Sequence, residues 1–199
     1  SNGNKRVPEL IWPGNADSYP SQKRSTLGAA LVFTAPGIPM IFMGQEFLEW
    51  GAWSDGRELD WSKATRFAGI RMLYRDLIHL RRNWFNNTAG LKGHGVNVYH
   101  VNPADKVLAF HRWDRGGPGD DVVVLANLRA RSYDNYRIGL PRTGPWRIRF
   151  NSDWQGYSPI FRDHPAFDFA ADGAPRDGMP CSGSVGLGAY TGLILSQDR

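Results

Sequence analysis

A single cysteine, Cys181, stands in 199 residues, so no disulfide can form within this sequence. With one thiol, the expected setting is a reducing, cytoplasmic one. Long apolar runs are also missing. The longest, Ile38 to Met43 with Pro39 inside it, covers six positions, far short of the roughly 18 that a transmembrane helix needs. No membrane partner is expected. No apolar segment follows Ser1-Asn2-Gly3-Asn4-Lys5-Arg6, so no signal peptide is expected in this sequence.

Other signatures are absent too. There is no GxSxG nucleophile elbow, no glycine-rich phosphate loop and no dinucleotide fingerprint. Gly116-Gly117-Pro118-Gly119 reads as a turn. The histidines, His79, His94, His100, His111 and His164, show no i, i+4 pair. No metal site and no cofactor are expected. The net charge is +5, carried mostly by arginine, but Arg81-Arg82 is the only adjacent arginine pair. Nucleic-acid binding calls for a clustered stripe, so no nucleic-acid partner is expected.

What is present is a globular composition. Hydrophobic residues make up 41% and aromatics 13%, including 8 Trp, which excludes a disordered chain. The pattern changes near residue 90. Before it, Ser18 is a candidate N-cap with Pro20 in the first turn of a helix reaching Thr34. Leu27, Ala30, Leu31 and Thr34 share one face of that helix, and Pro36 ends it. Ile38–Gly44 is continuously apolar and bounded by glycine, the pattern of a strand buried on both faces of a parallel sheet. A loop rich in aromatics and acids follows, from Gln45 to Trp61. A second helix runs from a cap at Ser62 to Arg82, with Phe67, Ile70, Tyr74, Leu77, Ile78 and Arg81 in one stripe.

Beyond Gly90 the period becomes two. Strands are expected at 96–101, 107–113, 122–127, 135–140, 146–151, 184–187 and 190–196, separated by Gly/Pro/Asp turns. Seven short strands in this span suggest an antiparallel sandwich. Ser158–Gly183 reads as a long loop, with Cys181 inside it. The two expected domains are therefore 1–90 and 91–199. The first leaves a strand without neighbours, which points to a larger α/β domain whose other strands lie elsewhere.

The run from Lys23 to Phe47, with Pro36-Gly37-Ile38-Pro39 leading into a buried strand and then Gly44-Gln45-Glu46-Phe47, resembles the end of an α-amylase barrel. Leu59-Asp60-Trp61 before a helix and the ending Tyr190-Thr191-Gly192-Leu193-Ile194-Leu195-Ser196-Gln197 fit the same family, glycoside hydrolase family 13. The likeness is greatest to its 1,4-α-glucan branching enzyme group. The resemblance implies a fold class: the last strand and helices of a (β/α)8 barrel, then an all-β antiparallel sandwich of the α-amylase C-terminal type. It makes 21–34 the seventh helix, 38–44 the eighth strand and 63–82 the eighth helix.

The family uses three acids, at the ends of the fourth, fifth and seventh strands. The last belongs to a His-Asp motif, and no His-Asp dipeptide occurs here. Ser1–Lys5 resembles the loop that follows that motif. The resemblance thus implies no catalytic residue in this sequence, and a partner in the N-terminal part of the barrel. The function implied is transfer of α-1,4-glucan to α-1,6 branches in glycogen biosynthesis, with glycogen, amylose or maltooligosaccharide as the glucan. An α-amylase, a maltooligosyltrehalose trehalohydrolase or a non-catalytic glucan-binding module are the alternatives. Gln45 and Glu46 would stand at the rim of the barrel, as substrate contacts or as local caps. Trp50 and Trp53 follow, as sugar platforms or as packing. Trp113, Trp146 and Trp154 are read as core first and as a surface sugar site second. If 38–44 keeps unpaired edges, the chain should oligomerise, fold its helices onto the sandwich or be a proteolysed remnant of a longer chain.

Overall fold

A computed structural model describes residues 4–199. Part of the loop expected at 1–5 (residues 1–3) lies outside the described residues. The molecule has three layers: helices, a six-stranded sheet and a two-stranded sheet.

The helical layer holds α1 (Val7–Ile11), α2 (Tyr19–Thr34), α3 (Ser62–Arg66) and α4 (Ala68–Arg81). Helix α2 starts as its sequence dictates. The Ser18 hydroxyl oxygen accepts a hydrogen bond from Ser21 N at 3.4 Å, and a proline occupies the first turn. Ala35 is extended before Pro36 and closes the helix. Two expectations for the second helix are corrected. Asp60, not Ser62, serves its start, accepting from both Ser62 N and Ser62 Oγ. The helix also breaks at Phe67, whose φ of −108° and ψ of 37° interrupt it. The break buries the Phe67 ring and lays Gly69 against the carbonyl of Tyr157, where any Cβ would come within 2.3 Å of it.

The larger sheet has the order β1 (Gly95–Asn102), β2 (Val107–Trp113), β3 (Val122–Asn127), β8 (Gly192–Ser196), β5 (Gly144–Asn151) and β6 (Phe169–Ala171), with every pairing antiparallel. The smaller sheet pairs β4 (Tyr133–Leu140) with β7 (Cys181–Leu187). An antiparallel sandwich is what the alternating segments predict. The long loop at 158–183 is corrected in part. It holds β6, three residues too short to show a period, and the start of β7 places Cys181 in a strand, buried.

Strand β3 is buried along its whole length and separates two cores. Val122 and Val124 face α2 and α4, together with Phe33, Ile70, Leu77, Phe150 and Ile194. Val123 and Leu125 face the small sheet, together with Ile138, Leu140, Trp146, Leu187 and Leu195. Trp146 is completely buried, the core role expected of it. The helices have folded onto the sandwich, one of the outcomes expected for this chain.

Polar side chains lock the helices to the sheet. Lys23 Nζ meets Asp153 Oδ1 at 2.7 Å and Thr191 Oγ1 at 3.1 Å. From β2, Arg112 donates to the carbonyls of Thr34 (2.5 Å), Gly93 (2.7 Å) and Gly95 (3.0 Å), so one buried guanidinium holds the end of α2 and the start of β1. Tyr157 Oη donates to Asp76 Oδ2 of α4 at 2.9 Å.

The expected strand at 38–44 is absent. These residues form no regular element, and Ile38, Met40 and Met43 are exposed, Ile38 by 98%. The physical reason is the lack of a neighbour. A two-sided strand needs a hydrogen-bonding partner at each edge, and no described strand lies beside this one. Pro39 also removes a donor from the segment.

Candidate functional site

The loop between α2 and α3 is organised from within. Gly44 turns at φ 82° into the 3-10 turn Gln45–Phe47, and Leu48 leaves that turn at φ 58°. The turn buries Phe47 and Leu48 in the helix–sheet core. It also buries Glu49, a residue given no role by the sequence. Its Oε1 accepts from Trp50 N at 3.0 Å, and its Oε2 from Asp60 N at 2.7 Å, so this carboxylate ties the middle of the loop to its far end. Lys63 Nζ stands 3.5 Å away as its counter-ion. Burial pushes the Glu49 carboxyl up, but the two backbone N–H groups and Lys63 outweigh it and hold it below the usual glutamate range. The available signal was an acid flanked by Phe47-Leu48 and Trp50, where an unpaired charge is costly.

The four residues expected at the rim do not converge. Gln45 and Trp53 share a cavity of about 470 Å³ with Lys5, Arg6, Val7, Phe42 and Glu49. In it, Gln45 Oε1 accepts from Phe42 N at 3.1 Å and Trp53 Nε1 donates to Met43 Sδ at 3.2 Å. Arg6 ties the N-terminal segment across the opening, donating to the carbonyls of Trp50 and Ala52. Trp50 faces away, towards Asp17, Asp60 and Arg66, with Lys63 4.9 Å and Arg57 5.4 Å from its ring centre. Those cations hold the ring.

Glu46 turns to a third place. It lines a hollow with Ile41, Met72, Tyr74 and Ile78, edged by Arg71 and Arg75. Glu46 Oε2 and Tyr74 Oη are both buried there without a hydrogen-bond partner. Burial raises the Tyr74 phenol well above the usual tyrosine range. The Gln45 side chain works against that rise and the Glu46 carboxylate adds to it. Two buried polar atoms in one hollow are thus left without partners, which is costly.

Trp113 stacks on His111 at 4.6 Å, and Trp154 is exposed beside Tyr157. His79 is held between Trp84 and Phe85. Among the described residues, no group of three His, Cys, Asp or Glu side chains is gathered to hold a metal ion. No described helix is long and apolar enough to cross a membrane.

The fold defines a class: an antiparallel β-sandwich backed on one sheet by helices that carry an aromatic loop. Its sandwich matches a known family model, the Alpha amylase, C-terminal all-beta domain, over residues 99–198. The chain belongs to that family. Similar curated proteins include the 1,4-alpha-glucan branching enzyme GlgB 2 of Xanthomonas oryzae, 35% identical over 133 residues, covering 64% of this chain and 18% of that protein. The 1,4-alpha-glucan branching enzyme GlgB of Pseudomonas syringae is 34% identical over 185 residues, covering 89% of this chain and 24% of that protein. The chain thus spans less than a quarter of the length of these curated relatives. Among solved structures, a debranching enzyme from Nostoc punctiforme superposes with a TM-score of 0.59 at 19% identity, covering 87% of this chain and 30% of that one, a likeness of fold.

Proposed function

We propose that the chain is the C-terminal part of a 1,4-α-glucan branching enzyme-like protein. Its helical part, residues 1–90, would close a (β/α)8 barrel, and residues 91–199 would brace that barrel. The observation that carries this reading is the 34% identity to a branching enzyme over 185 residues, a span that reaches into both parts.

The exposed face of the helical layer supports it. Ile38, Met40 and Met43 are bare, and Glu46 Oε2 and Tyr74 Oη lack partners nearby. A flanking strand on each side of 38–44 would satisfy its backbone, cover its apolar side chains and bring hydrogen-bonding groups to the hollow. Helix α2 would then be the seventh helix, and α3 with α4 the eighth.

In such an enzyme a carboxylate takes the cut α-1,4 chain as a covalent glucosyl intermediate. A second carboxyl, about 5 Å away, acts as acid and then as base for an incoming 6-hydroxyl. This chain supplies neither group in our reading. Its part is positional. Glu49, Asp60 and Lys63 fix the loop, so that Gln45 and Trp53, which share one cavity, can form part of a substrate-facing rim. The setting is cytoplasmic, in keeping with the lone buried thiol of Cys181.

The test is a chimera in which this chain replaces the matching segment of the Pseudomonas syringae enzyme. Amylose treated with it should gain α-1,6 linkages, and its iodine complex should lose absorbance. The isolated chain should change neither. A folded chimera that only shortens amylose would favour a hydrolase, and one that leaves amylose untouched would overturn the reading.

A further inference from the structure

A cleft of about 360 Å³ is formed by Asp134 and Asn135 of β4, Ser184 of β7 and the segment from His164 to Phe169. Phe167 stands in it 76% exposed, among polar neighbours. The segment that presents it is seated at both ends by glycines of β7. A Cβ on Gly186 would fall 1.9 Å from the carbonyl oxygen of Pro165, and one on Gly183 would fall 2.3 Å from the Phe169 ring. Only bare backbone allows that approach, so the ring is offered from a fixed base rather than from a loose tip.

The polar rim is equally organised. His164 Nε2 lies 3.1 Å from the carbonyl oxygen of Tyr133 and 3.4 Å from Asp134 Oδ1. Asp168 accepts from Ile148 N at 2.7 Å and pairs with Arg147 at 3.1 Å. The Asp134 side chain remains 97% exposed. The cleft thus combines an apolar ring, an open carboxylate and a neighbouring carboxamide. That is the chemistry of a neutral polyol with apolar C–H faces. Two carboxylates on the rim disfavour a phosphate-bearing ligand.

We propose that this cleft binds a short α-1,4-glucan segment, with Phe167 stacked on a glucose ring and Asp134 and Asn135 bonded to its hydroxyls. The choice of glucan rests on the branching-enzyme reading. No residue lining the cleft belongs to the helices, and His164 at its edge is tied through Asp153 to Lys23 of α2.

The test is a titration of the whole chain with maltoheptaose, followed by amide NMR shifts. Shifts should concentrate at 134–135, 164–168 and 184–186. Phe167→Ala should weaken binding at least fivefold and Asp134→Ala at least threefold, with the amide spectrum otherwise preserved. Shifts elsewhere, an unweakened F167A, or saturation by an oligolysine peptide but not by the sugar would each overturn the proposal. The two readings fail separately. A chimera that branches amylose while the chain ignores maltoheptaose removes this site alone. Binding at Phe167 with an inactive chimera removes the enzyme reading alone.

Discussion

Lys23 Nζ lies 2.7 Å from Asp153 Oδ1, with both side chains at most 1% exposed and 130 positions apart in sequence. The pair joins the second turn of α2 to the turn after β5. Asp153 is further held by the backbone N–H groups of Arg162 and His164, and Lys23 rests over the Phe161 ring. Breaking one side of such a pair strands the other charge. Lys23→Met should destabilise the chain by about 3–5 kcal/mol, read as a lower urea midpoint. Lys23→Met with Asp153→Asn should recover part of that loss.

The same lysine gives the chain a pH signature. Burial lowers Lys23 from 10.5 to about 8, with Asp153 resisting and Arg162 adding to the fall. Between those values the unfolded chain binds more protons than the folded one, so stability from this group rises with pH across that window. Below it, the folded state carries the full burden of burying the ammonium. Urea midpoints measured from pH 8 to pH 10 should therefore fall less steeply, or rise, in the native chain compared with Lys23→Met.

Glu49 acts in the opposite direction. Its native value lies below the usual one, so its stabilisation is present above the ordinary glutamate value, about 4.3, and is lost as pH falls through the native value. Glu49→Gln should flatten the acid limb of stability. It should also weaken the chain at neutral pH by on the order of 2 kcal/mol, because Lys63 loses its partner and the backbone N–H groups of Trp50 and Asp60 both lose a charged acceptor. Unfolding followed by tryptophan emission from pH 3 to pH 7 measures both.

Arg112 fastens the helical layer at its other end. Arg112→Met keeps the stem and removes the donors to Thr34, Gly93 and Gly95, leaving buried carbonyls unpaired. The expected loss is about 3 kcal/mol, accompanied by faster amide exchange at the end of α2.

Comparison of two apolar segments shows how far the sequence could be read. Val122–Asn127 and Ile38–Gly44 carry the same pattern, a continuous apolar run bounded by polar or glycine residues. The first is a strand with β2 and β8 on its two edges. The second is no strand at all. Hydropathy reports the demand for burial on both faces. Whether a neighbour is present to meet that demand is a property of the rest of the fold. Strands β2 and β3 were legible to the residue because turn residues frame them. Strand β6 was not, since three residues cannot establish a period. At the loop, Gln45, Glu46, Trp50 and Trp53 were read together as candidate rim residues, yet they open to three separate hollows. Side-chain direction over the tight turn at 44–48, with left-handed residues at both ends, decides that, and residue type does not encode it.

The exposed run gives the last prediction. Ile38 is 98% exposed, Met40 72% and Met43 51%, and they follow one another over six positions. Single apolar residues on a surface are ordinary, but a contiguous set marks a face that meets another surface. Because these side chains contribute little to the two cores, charging them should leave folding intact. Ile38→Glu with Met40→Glu should change unfolding stability by no more than about 0.5 kcal/mol, while reducing binding of an apolar dye and any self-association seen by light scattering. In the chimera the same pair should abolish branching, because charge would then be placed where flanking strands must pack. The two results together locate the missing contact. A stable, less sticky chain that fails only in the chimera means the run is a buried strand awaiting its neighbours. A chain that unfolds on substitution means the run already packs within these 199 residues, and the barrel reading loses its physical ground.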